Sequence, residues 1–86
     1  MSTIMELITK TRQENHITQE QFARELSKAL EPIKGLTTTT IRNWESGRTS
    51  PDYFMMYYVA HQDTPKWLRD FATDAMEILT DQKAKT

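Results

Sequence analysis

The sequence predicts an all-α domain of five helices, and three observations carry that prediction. Helix breakers are scarce, with two glycines and three prolines in 86 residues. Strand formers are scarce too: the chain holds a single valine. Apolar residues recur at intervals of three and four, the period of one face of a helix.

The first helix is expected over about residues 3–14, with Ile4, Leu7, Ile8 and Thr11 on one face. Asn15 and His16 break the pattern. Thr18 is placed to cap a second helix, and Gln21 three residues on completes a capping box. Ile17 and Phe22 are placed to staple its entrance, and Phe22, Ala23, Leu26, Ala29 and Leu30 form its buried stripe. Pro32 ends it, because the residue before a proline avoids helical angles. A third helix begins in the threonine run behind the cap Thr37, turns Ile41 and Trp44 inward, and stops at Gly47 as a left-handed residue. Ser50-Pro51 signals a fourth helix, with Tyr53, Met56, Tyr57, Val59 and Ala60 as its apolar face. Thr64-Pro65 repeats the signal for a fifth at about 65–80, striped by Trp67, Leu68, Phe71, Ala72, Ala75, Met76 and Leu79. One domain over residues 1–80 and a frayed polar tail over 81–86 are expected from this layout.

Composition excludes several functions. With 37% hydrophobic and 27% charged residues the chain is neither a disordered tail nor a membrane protein, and no apolar run reaches the roughly 18 residues of a spanning helix. A cytoplasmic location is expected. The absence of cysteine excludes disulfides, thiolate metal sites and thiol chemistry. His16 and His61 have no helix-spaced ligand partner, and no nucleophile elbow or phosphate loop is present. No metal, cofactor, small-molecule ligand or enzymatic activity is expected. Net charge is −1, divided as +1 over residues 1–50 and −2 over 51–86. Polyanion binding must therefore rest on few, well-placed contacts.

Two stretches carry the functional signal: Ile17-Thr18-Gln19 leading into Phe22-Ala23-x-x-Leu26, and Thr40-Ile41-Arg42-x-Trp44-Glu45-Ser46-Gly47-Arg48 followed by Pro51. Over about residues 4–60 the sequence resembles the Cro/lambda-repressor-like (xenobiotic-response-element type) helix-turn-helix DNA-binding family. It departs from the family between helices two and three. There the stretch SKALEPIKG, residues 27–35, inserts about eight residues where a tight turn is usual. An extra turn of helix two and a longer loop hinged at Gly35 are expected.

The resemblance implies a sequence-specific regulator of double-stranded DNA, reading the major groove with the helix at about 38–46. Thr38, Thr39 and Asn43 match the family's base-reading positions, and Arg42 lies beside them. Thr hydroxyls and methyls, Arg on guanine and Asn on adenine are suitable groove chemistry. Gln19, Arg48 and Thr49 match phosphate-contact positions, and Lys34 joins them only if the inserted loop folds toward DNA. Arg12 and Glu45 match a structural ion pair. Family habit favours repression, and a dimer would read a palindromic operator with two recognition helices one DNA turn apart. A nucleoid-associated location is expected, and the sequence does not choose between a phage, mobile-element or chromosomal origin. The crowding of large apolar groups at residues 53–58, and the wide stripe of helix five with Trp67, Phe71 and Ile78, admit two explanations. They either complete the monomer core or form a homodimer interface through helices four and five. The alternative function is a protein-interaction module on a helix-turn-helix scaffold that does not bind DNA.

Overall fold

The computed structural model describes residues 3–31 and 35–84 and contains five helices and no strand among them. They are α1 (Ile4–Asn15), α2 (Gln19–Leu30), α3 (Thr38–Glu45), α4 (Tyr53–Ala60) and α5 (Lys66–Ala84). Lys34 lies outside the described residues.

Local chemistry sets most of the boundaries. The Glu6 N–H donates to Thr3 Oγ at the start of α1, and His16 ends that helix in the left-handed region at φ 53°. The Thr18 and Gln21 side chains each accept from the other's backbone N–H, which satisfies two otherwise orphaned donors at the head of α2. Thr37 Oγ accepts from the Thr40 N–H and caps α3. At α4 the cap is Asp52, accepting from the Met55 N–H, not Ser50; buried Pro51 precedes the cap instead of opening the helix. A carboxylate two residues downstream offers the same acceptor as the serine, so the chain enters the helix later. At α5 the Thr64 hydroxyl is buried with no hydrogen bond among the described residues, and the carbonyl of Pro65 accepts the first backbone bonds, from Leu68 and Arg69. That helix also runs to Ala84, past the tail expected from about residue 81. Polar residues such as Gln82 and Lys83 are good helix formers and do not themselves terminate a helix.

The core takes residues from all five helices: Ile4, Leu7 and Ile8; Phe22, Ala23, Leu26, Ala29 and Leu30; Ile41 and Trp44; Met56 and Val59; Leu68, Phe71, Ala72 and Ala75. Phe22 is its hub. Its ring meets Phe71 edge-on at 4.9 Å and Trp67 at 5.8 Å, tying α2 to α5. Much of the α5 stripe is thereby taken up within one chain. The surplus apolar surface is on α4, where Tyr53 and Tyr57 stay outside the core with Phe54 while Met56 and Val59 fill it.

Seven residues, 31–37, link α2 to α3. The end of this link is pinned to α2. The Leu36 N–H donates to Ser27 Oγ at 2.8 Å, and the same hydroxyl donates to the Leu36 carbonyl at 2.9 Å.

Candidate nucleic-acid interface

An α-helix turns about 100° per residue. Burying Ile41 and Trp44 therefore fixes which side of α3 faces out. Thr39, Arg42 and Asn43 fall on that outer side, and Thr38 lies at its flank in the first turn. Thr39 and Arg42 are exposed; Thr38 and Asn43 are half-buried. Among the described residues, none of these four side chains makes a hydrogen bond or ion pair within the chain. The neighbouring polar groups behave differently, since the hydroxyls of Thr37 and Thr40 lie 3.3 Å apart at the cap.

The C-terminal end of α3 is held from two sides. Arg12 Nη1 donates to both carboxylate oxygens of Glu45, at 2.8 and 2.9 Å, with about three-quarters of the Arg12 and four-fifths of the Glu45 side chain buried. Arg12 Nε is buried and unpartnered among the described residues, so Glu45 is the principal compensation for this guanidinium. Gln19, at the first position of α2, donates a long bond of 3.5 Å to Glu45 Oε1. One carboxylate thus joins α1, α2 and α3. Its charged partner and its partial burial make it a hydrogen-bonding anchor more than a solvated charge.

Past α3, the Asn43 carbonyl accepts from the Arg48 N–H at 2.9 Å, the Thr49 N–H at 3.3 Å and the Ser46 hydroxyl at 3.1 Å. This folds the next loop back against the helix and leaves the Arg48 and Thr49 side chains exposed beside it. Gly47 makes the reversal possible. It sits at φ +82°, and a Cβ there would lie 2.6 Å from Met5 Sδ on α1. The backbone angle favours glycine, whereas the Met5 thioether ends a flexible, exposed side chain that can shift aside.

Thr38, Thr39, Arg42 and Asn43 thus lie along α3, Arg48 and Thr49 follow its C-terminal end, and Gln19 and Arg12 meet Glu45 at that same end. Two features of this site were not read from the sequence. The Ser27–Leu36 clamp spans nine residues and leaves only a polar residue beside buried Leu26 as its trace. The contact between Gly47 and Met5 is tertiary and leaves no local mark.

A second surface is apolar. Phe54 is 76% exposed and Tyr57 51%, and the Phe54 ring meets Tyr53 edge-on at 5.9 Å. The Tyr57 ring stacks on His61 at 4.2 Å, and His61 Nδ1 lies 2.8 Å from the Tyr57 carbonyl at the end of α4. None of the described helices is long and apolar enough to cross a membrane.

Comparison with known proteins agrees with this geometry. A helix-turn-helix family model matches residues 8–60, more than half of the chain, from within α1 to the end of α4. Searches of curated proteins and of solved structures found no significant match. The match and the five-helix, strandless architecture together place the chain in the lambda-repressor-like, Cro-type helix-turn-helix family of DNA-binding regulators.

Proposed function

We propose that this chain is a transcriptional repressor that binds a palindromic operator as a homodimer. One observation carries the reading: the outer side of α3 presents four polar side chains, Thr38, Thr39, Arg42 and Asn43, with no intramolecular partner among the described residues. A helix of this kind fits the major groove, where each base pair shows its own pattern of donors and acceptors. In this reading Arg42 takes guanine, Asn43 adenine, and the threonines supply hydroxyls and methyls to base edges. Arg48, Thr49 and the N-terminus of α2 at Gln19 frame the groove and contact phosphates, which sets register without reading sequence. Arg12 and Glu45 belong to the scaffold that fixes the angle of α3.

A homodimer suits a chain with so little positive charge, because two copies double the contact set. The exposed Phe54 and Tyr57 of α4, together with the half-buried Ile78 and Leu79 of α5, supply its apolar contact. Symmetry then requires half-sites about one helical turn, roughly 34 Å, apart. Occupying promoter DNA in this way represses transcription and keeps the protein on the nucleoid.

Selection from a random duplex library at about 0.15 M salt tests the reading. The expected result is an enriched inverted repeat with half-sites one turn apart. Retention of no duplex would overturn it and favour the protein-interaction module, for which the apolar face of α4 is the docking surface.

A further inference from the structure

Helix-turn-helix units usually hold their second helix by a turn of about three or four residues, short enough to fix its direction by itself. Here seven residues intervene. A link of that length gives α3 more freedom unless something else restrains its entry. The Ser27 hydroxyl supplies that restraint. It accepts from the Leu36 N–H at 2.8 Å and donates to the Leu36 carbonyl at 2.9 Å. A hydroxyl has one proton and two lone pairs, and this one engages both backbone polar groups of a single residue. Two such bonds fix both peptide planes flanking Leu36. The Leu36 side chain adds to the hold by packing half-buried against the core.

The position of Leu36 in the chain makes the clamp functional. Thr37 is next, and its hydroxyl caps α3; Thr38 opens the helix. The restraint on residue 36 is therefore passed through the cap to the end of α3 that enters the groove. The opposite end is held separately by Arg12 on Glu45. Within helices a serine commonly returns its hydroxyl to the carbonyl four residues back, or leaves it in water. Ser27 does neither.

We propose that Ser27 is a positioning residue for base recognition, its hydroxyl standing in for the tight turn by fixing Leu36 and so the entry of α3 into the groove. The proposal rests on the DNA-binding reading above. Base-edge contacts carry the sequence discrimination, whereas phosphate contacts are the same on any duplex. Loss of the clamp should lower operator binding more than binding to arbitrary duplex.

The test compares the unmodified chain with Ser27→Ala and Ser27→Thr, using the selected operator and a random duplex at the same salt. Hydrogen exchange of the Leu36 amide is measured in all three. Ser27→Ala should lose about tenfold in operator affinity, as expected when a hydrogen-bonded hydroxyl is removed. Random-duplex affinity should hold, and the Leu36 amide should lose at least about tenfold of its protection while the Ile41 amide keeps its own. Ser27→Thr, which retains the hydroxyl, should recover both. Equal operator-to-random ratios in the unmodified chain and Ser27→Ala would overturn the proposal. So would a loss of operator affinity that merely tracks a fall in melting temperature. If the unmodified chain selects no operator, the DNA-binding reading fails and the role in base recognition falls with it. A protected Leu36 amide, lost in Ser27→Ala, would then show that the clamp exists without that role.

Discussion

Helices α3 and α4 are matched in most respects. Each has eight residues, each is capped by a side-chain oxygen, and each buries two residues three apart, Ile41 with Trp44 and Met56 with Val59. They differ on the side the core does not use. Around α3 that side is Thr39, Arg42 and Asn43; around α4 it is Phe54 and Tyr57, in a helix with no charged residue. Similar demands from the core leave each outer face open to another requirement. Polar, uncommitted groups suit the edges of base pairs, and exposed aromatic rings suit a dry protein surface.

The largest effect should come from emptying the aromatic centre of the core, where Phe22 meets Trp67 and Phe71. Phe22→Ala leaves a cavity between α2 and α5, under Trp67 and Phe71, and should cost about 3–5 kcal/mol. Chemical denaturation measures it, and a cost below about 1 kcal/mol would contradict the assignment of Phe22 as hub. Next comes the paired change Arg42→Ala with Asn43→Ala. Each good base contact contributes about 1–3 kcal/mol of discrimination, so operator affinity should fall by about two orders of magnitude while the thermal midpoint holds. A titration and a melting curve on one sample separate these effects.

Glu45→Ala is expected to come third, at about 2 kcal/mol of stability, because Arg12 would remain largely buried with its carboxylate partner removed. If denaturation shows no loss, the pair is not an anchor of α3. The smallest effect on the monomer should be that of Phe54→Ser with Tyr57→Ser, within about 0.5 kcal/mol, since both rings lie outside the core. Sedimentation should nevertheless show at least about a tenfold weaker dimer. Equal self-association in the two chains would remove α4 from the interface.

The fold was legible because it is built from short-range rules. Apolar spacing placed Ile4, Leu7, Ile8 and Thr11 inward, and it did the same for Phe22, Leu26 and Leu30. The caps Thr18 and Thr37 were visible as hydroxyls in front of apolar runs. Competing signals blurred the start of α4, where Ser50, Pro51 and Asp52 all resemble a helix entrance and the Asp52 carboxylate is the group that accepts the Met55 N–H. The outer face of α3 is set by helical geometry once Ile41 and Trp44 point inward. Ser27 on Leu36, and Gly47 beneath Met5, were hidden because both join residues distant along the chain. Crowding at residues 53–58 signalled a surplus of apolar groups, yet only the packing of Met56 and Val59 decided that Phe54 and Tyr57 remain outside.

The proposal that the outer face of α3 reads bases is put to the test by repeating the duplex selection with Asn43→Ala. The expected result is an inverted repeat with unchanged spacing in which preference is relaxed at one position of each half-site. An operator motif identical to that of the unmodified chain would contradict the claim.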